Sequence, residues 1–167
     1  QGEMVKSGNH DGGHASNAYH EESDIREGVA VNLNITLVPV IIGSSTRLDF
    51  FVNQKPGNVA IDSSQLQLLQ TKLMHVIGVR DDMNEFFHIH PQPTLTRGIL
   101  SIEYTFAKPG NYKIWSEISH NGTDHIFGHL PVNVRGVGEA KKKEVFVSHS
   151  MIVDGYQVGA NYQEPLS

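Results

Sequence analysis

Apolar and polar side chains alternate along the chain between about residue 28 and residue 135. In residues 29–37 and 99–106 every second residue is apolar. A period of two places the apolar side chains on one face of an extended strand and the polar side chains on the other. Turn signals such as Pro109-Gly110 and Asn121-Gly122 separate these stretches. The pattern predicts about seven or eight short strands at hairpin spacing and no helix.

This profile is typical of an all-β domain. Residues 73–79 are almost continuously apolar, which favours a strand at the centre of a sheet. Many short strands with hairpin connections form two packed antiparallel sheets more readily than any layered α/β arrangement. We therefore predict an antiparallel β-sandwich, Ig-like or cupredoxin-like, over residues 28–135.

The two ends of the chain have a different composition. Residues 1–27 hold few large apolar side chains, and we predict a disordered leader or linker that carries His10, His14 and His20. Residues 136–167 predict an extra strand region. Its Asp154-Gly155 segment resembles Glu27-Gly28 and indicates the start of a truncated second repeat. We also expect that a signal segment was removed before Gln1.

Composition restricts the class of function. The chain has 13 basic and 18 acidic residues and a net charge of -5, which argues against binding to nucleic acid. No run of about 18 apolar residues is present, so we predict no transmembrane segment. Cysteine is absent, which excludes disulfides, thiolate zinc sites and thiol catalysis. Histidine, with ten residues, is the one chemically reactive residue type that the chain has in excess.

Three of these histidines predict a metal site. His88 and His90 lie two residues apart in an apolar segment, so an extended backbone points both imidazoles to one face. His75 lies in the preceding apolar strand, and the short turn between the two strands brings it near. Imidazoles suit Cu or Zn, and we predict one of these ions as cofactor. Further candidate ligands on neighbouring segments are Met74, Met83, Glu85, His120 and His125.

Two structural alternatives remain open. In the first, His88 and His90 face solvent while Phe87 and Ile89 fill the core, and His75 is a hydrogen-bonded core histidine. The second concerns His120, His125 and His129, which flank or follow the Asn121-Gly122 turn. With Glu117 and Asp124 nearby they could form a metal site of oxygen and nitrogen ligands. A polar hairpin tip is favoured over such a site, unless the tip folds onto the first cluster and completes its site.

Residues 74–91 and 106–115 resemble segments of bacterial extracytoplasmic domains of poorly defined function. The shared patterns are Met-His followed by Phe-x-His-x-His-Pro, and Phe-x-x-Pro-Gly-x-Tyr followed by a tryptophan. Such domains often accompany heavy-metal or copper handling systems. The resemblance implies that His75, His88 and His90 are the metal-binding positions. The chain lacks the cysteine ligand of true cupredoxins.

The sequence as a whole predicts an extracytoplasmic, non-enzymatic module that sequesters or delivers a transition metal. The expected partners are the metal ion and another protein of a metal-handling system. One alternative is a structural or adhesive repeat of a larger surface protein whose histidines are incidental. A second is a metal-dependent enzyme with an open three-histidine site and Glu85 as general base.

Overall fold

Strands form where the alternation of apolar and polar residues is clearest. The computed structural model describes residues 16–137, and nearly all regular structure in this range is β. Within residues 28–135 eight strands have four or more residues, and four further strands have two. The two sheets are mostly antiparallel, which confirms the predicted all-β class. No helix in the described range is long and apolar enough to cross a membrane.

Residues 16–36, 47–104 and 112–132 make the larger of two compact units. Its first sheet is built around β11 (Gly110–His120). The other strands of this sheet are β1 (Ser16–Glu21), β6 (Leu66–Gln67), β7 (His75–Arg80), β8 (Phe86–Ile89) and β12 (Thr123–Gly128). Its second sheet contains β2 (Gly28–Ile35), β4 (Ser45–Lys55), β5 (Val59–Ala60), β9 (Gln92–Pro93) and β10 (Ile99–Thr105). Short 3-10 turns occupy Glu22–Asp24 and Ser63–Gln65.

The two sheets of this unit pack face to face. The ring of Phe87 in β8 lies 4.5 Å from that of Tyr104 in β10, and Phe50 in β4 meets His129 edge-on at 5.6 Å. Alternate residues of each strand fill the space between the sheets, including the fully buried Val31, Leu48, Phe50, Val52, Val76, Leu100, Ile114, Ile118 and Phe127. Each such side chain contributes about 1.5–3 kcal/mol by leaving water. The observed layers confirm the predicted β-sandwich.

The smaller unit holds residues 37–46, 105–111 and 133–137. In it β3 (Val40–Ile41) runs parallel to β13 (Val132–Arg135), with Val134 opposite Val40. The amide of Gly43 donates to the carbonyl of Phe106 at 3.0 Å. Gly43 has a φ of +79°, a left-handed conformation that favours glycine.

The N-terminal part of the described chain corrects one prediction. The sequence predicts disorder over residues 16–27, whereas in the structure β1 pairs in parallel with β12 along six residues. Lys113 Nζ also donates to Glu21 Oε1 at 2.9 Å. Because backbone pairing and polar contacts hold this strand, its low apolar content did not reveal it. Residues 1–15 and 138–167 lie outside the described range, as do the predictions made for them.

Candidate metal centre

The β7–β8 hairpin determines where His88 points. Its register places Ile77 opposite His88 and Gly78 opposite Phe87. The Phe87 ring lies directly over Gly78, so close that a Cβ at position 78 would stand 2.1 Å from it. Phe87 is thereby held toward the core, and strand alternation turns His88 to the outer face of the sheet.

His75 lies at the start of β7, on the same outer face as Ile77. It is nevertheless only 8% exposed. Its Nε2 lies 2.6 Å from the carbonyl oxygen of Leu69, in a tight turn closed by paired backbone bonds between Leu69 and Lys72. A carbonyl can only accept, so Nε2 carries the proton and donates it. Nδ1 then keeps its lone pair, which is the state of a metal-binding imidazole.

The three predicted histidines come together on this face. His75 Nδ1 lies 3.2 Å from His88 Nε2, and one nitrogen from each of His75, His88 and His90 lies within 4.8 Å of the others. Two nitrogens bound to one tetrahedral zinc ion are about 3.3 Å apart, given Zn–N bonds of about 2.0–2.1 Å. The first pair therefore already has ligand spacing. His88 is exposed and His90 half-buried, so an ion can reach both.

Electrostatics also favour the binding form of His90. Burial lowers its pKa, and the neighbouring positive charges of His75, His88 and Lys72 lower it further. A lowered pKa keeps the imidazole neutral at neutral pH. Neutral imidazole is the form that coordinates a metal.

Two of the additional candidate ligands lie at the wrong end of the hairpin. Met83, 79% exposed, and Glu85 belong to its turn, where the amide of Arg80 donates to the carbonyl of Glu85 at 2.9 Å. His75 is five residues down the strand from Arg80, a rise of about 16 Å. Neither side chain can share an ion with His75. Met74 is 0% exposed and lies in the core.

His120 and His125 also do not complete the site. Glu117 is the residue of β11 that faces His75 across the strands, whereas its neighbour Ile118 faces His125. Adjacent residues of a strand point to opposite faces. His125, and His120 two residues from Ile118, therefore lie on the inner face of the sheet.

His129 does not belong to the hairpin tip that the sequence predicts for His120, His125 and His129. β12 ends at Gly128, and His129 is buried with both ring nitrogens engaged. Nε2 lies 2.8 Å from Ser116 Oγ and Nδ1 lies 2.6 Å from Glu22 Oε1. Burial would raise the pKa of Glu22, but the bonds from His129 and from the Leu33 amide hold it below its usual value. This is a structural network with no nitrogen left for a metal.

Sequence reasoning missed two features of the site. The Leu69 carbonyl that orients His75 comes from a turn with no sequence signature, in which Gln70 and Thr71 have φ of +46° and +72°. A pocket of about 150 Å³ beside His75, lined by Ile77, Trp115, Glu117 and Ile126, was not expected either. The pocket forms because residues distant in sequence lie opposite one another in the paired strands β7, β11 and β12.

A family sequence profile matches residues 23–135, which are most of the described range. Its description is a domain of unknown function, DUF8832. The chain belongs to the DUF8832 family. In this DUF8832 domain all three clustered histidines fall within the matched residues. No curated protein matches the sequence significantly.

Several solved structures are distantly similar to the DUF8832 domain. A PKD domain of an M14-like peptidase from a Thermoplasmatales archaeon is 15% identical, covers 62% of this chain and 92% of its own, and has a TM-score of 0.35. A superoxide reductase (neelaredoxin) from Ignicoccus hospitalis is 8% identical, covers 71% of this chain and 95% of its own, and has a TM-score of 0.39. A CARDB domain in complex with di-metal ions from Pyrococcus furiosus is 13% identical, covers 66% of this chain and 90% of its own, and has a TM-score of 0.33. Likenesses this distant carry no inference about function.

Proposed function

We propose that this domain binds one transition-metal ion, Cu or Zn, through His75, His88 and His90. The observation that carries the proposal is the 3.2 Å separation between His75 Nδ1 and His88 Nε2, with the proton of His75 held on Nε2 by Leu69. Histidines that merely face solvent do not need a fixed tautomer. The fixed tautomer leaves the Nδ1 lone pair beside a second imidazole, at a spacing that two ligands of one ion adopt and that an N–H···N hydrogen bond also fits.

Three imidazoles leave one position of a tetrahedral ion open. We propose that this position takes water or an exchanging ligand, so that the ion can be sequestered and handed on. We propose a binding role rather than a catalytic one. Glu85, the base that the sequence suggested, lies about 16 Å along the hairpin from His75, whereas Glu117 lies opposite His75 on β11.

We further propose an extracytoplasmic location and a partner from a metal-handling system. Both rest on the sequence resemblance of residues 74–91 and 106–115 alone. Fractionation of cells that express the native gene tests the location, and recovery of the protein with the cytoplasmic fraction would contradict it. Transfer of a bound ion to a candidate partner protein, followed by a metal-sensitive dye, tests the delivery role.

Calorimetric titration of the full chain with Zn(II), Cu(II) and Cu(I) tests the central proposal. We expect one metal ion to bind tightly per chain, with an affinity that falls about ten-fold or more in His75→Ala or His88→Ala. His120→Ala is the matched control, because it removes one imidazole from the inner face of the same sheet and should leave that affinity unchanged. A triple variant of His75, His88 and His90 that retains every binding event of the wild type would favour a structural or adhesive scaffold instead.

A further inference from the structure

The parallel pairing of β1 with β12 brings a histidine from each strand together. Its register places Ala18 opposite His125 and His20 opposite Phe127. His20 and His125 are therefore diagonal neighbours on the inner face of the sheet, the face opposite to His75. This juxtaposition depends on a strand whose partner lies more than a hundred residues away in the sequence.

The two imidazoles approach each other as a pair of ligands would. His20 Nε2 lies 3.3 Å from His125 Nδ1, close to the 3.2 Å that separates His75 and His88 on the other face. Their rings stack at 5.4 Å, and the ring of Phe127 stacks against both, at 5.2 Å from His20 and 5.8 Å from His125. Phe127 is fully buried, so it provides a rigid platform for the pair.

A third imidazole stands on the same face. In the β11–β12 hairpin Ile118 lies opposite His125 and His120 opposite Thr123. His120 is thus the diagonal neighbour of His125 across the hairpin, as His20 is across the parallel pair. His20 is level with Phe127 and His120 with Thr123, so the two are four residues and about 13 Å apart along the strands, and His120 does not join the His20–His125 pair.

The surroundings favour a neutral pair and admit a cation. Burial lowers the pKa of His125, and positive charge on His20 or His120 lowers it further, against a smaller opposing effect of Asp124. Beside His20 an open depression of about 390 Å³ is lined by Glu21, Asp24, Glu27 and Arg26, and Glu21 is paired with Lys113. An acidic approach of this kind raises the local concentration of cations.

We propose that His20 and His125 form a second site for a transition-metal dication such as Zn(II) or Cu(II). The site does not depend on the first one, because it shares no residue with it and lies on the opposite face. The competing explanation is an N–H···N hydrogen bond between the two rings, which fits the same 3.3 Å distance. The two explanations differ in whether an added metal binds between the rings.

The test uses the full chain with His75, His88 and His90 all replaced by Ala, titrated with Zn(II) by calorimetry. We expect this variant still to bind one zinc ion per chain. The affinity for that ion should fall about ten-fold or more in His20→Phe, which removes the nitrogen but keeps an aromatic ring against Phe127. Asn17→Ala, on the same strand but the outer face, is the matched control. No remaining zinc binding, or an affinity that His20→Phe leaves unchanged, would overturn the proposal.

Imidazole NMR spectra of the wild-type chain give a second readout that needs no variant to fold. Signals of His20 and His125 should shift together as Zn(II) is added, in addition to those of His75, His88 and His90. Shifts confined to the first cluster would overturn the second site and leave the first intact. Shifts confined to His10 and His14 would contradict both, so the two failures are distinguishable.

Discussion

His75 and His129 are both buried histidines with a protein partner at each ring nitrogen, yet the partners differ. The nitrogens of His129 contact the carboxylate of Glu22 and the hydroxyl of Ser116. His75 contacts a backbone carbonyl with one nitrogen and the imidazole of His88 with the other. The comparison shows that burial does not distinguish a structural histidine from a candidate ligand. What distinguishes them is a partner imidazole that can turn with His75 to a shared ion.

The largest effect on stability is expected at His129. In His129→Ala the carboxylate of Glu22, with its side chain 14% exposed, loses its main partner while it stays largely buried. Breaking a buried pair in this way costs about 3 kcal/mol or more. Urea unfolding should show the loss. Metal affinity, measured on the same variant, should stay within about two-fold of wild type, because His129 is not a ligand.

A second change tests how the hairpin positions the outer cluster. Gly78→Val forces a Cβ into the Phe87 ring, and overpacking of this kind costs about 1–3 kcal/mol. Because Phe87 determines which way His88 points, affinity for metal should fall together with stability. The double variant Gly78→Ala, Phe87→Leu should recover part of both. Full metal affinity in Gly78→Val would mean that the hairpin does not position the ligands.

At His75 the pattern should be the reverse of that at His129. His75→Ala removes the hydrogen bond to Leu69 and the contact with His88, together worth about 1–2 kcal/mol to the unfolding free energy. Its effect on metal affinity should be larger, about 10- to 100-fold. Thermal melting with and without Zn(II) separates the two quantities. An unfolding free energy that falls by as much as in His129→Ala would place His75 in the structural class.

The smallest expected effect is on the pH dependence of the metal-free protein. The folded pKa of His90 lies below its usual value, as does that of His125. Between the folded pKa and about 6.5 the unfolded chain binds more protons than the folded one, so stability rises with pH across that interval and is lost as pH falls. His90→Gln should flatten this slope in urea titrations near pH 6. An unchanged slope would contradict the assignment for His90.

Much of the fold could be predicted from the sequence because alternation is a local property. The strands around Val76 and Ile118 and the hairpin at Asn121-Gly122 appear where the pattern indicates them. β1 was missed since its stability comes from pairing with β12 rather than from apolar side chains. Pairing between distant segments leaves no periodic signal in either of them.

The site was predictable to the same extent. The spacing of His88 and His90 and the adjacency of His75 are local, and the structure brings these three residues together. Met83 and Glu85 were near in sequence but belong to the turn end of the hairpin. The role of Leu69, the partners of His129 and the contact of His20 with His125 all depend on tertiary packing. Residue spacing in the sequence does not predict contacts between segments that lie far apart in the chain.

The most direct test of the metal site is a crystal structure of the zinc-loaded protein with anomalous scattering measured at the zinc edge. We predict a peak bonded to His75 through Nδ1 at about 2.0–2.1 Å, with His88 and His90 as further ligands and the Leu69 bond to Nε2 unchanged. Zinc on Nε2 of His75, or no peak among these three histidines, would contradict the account.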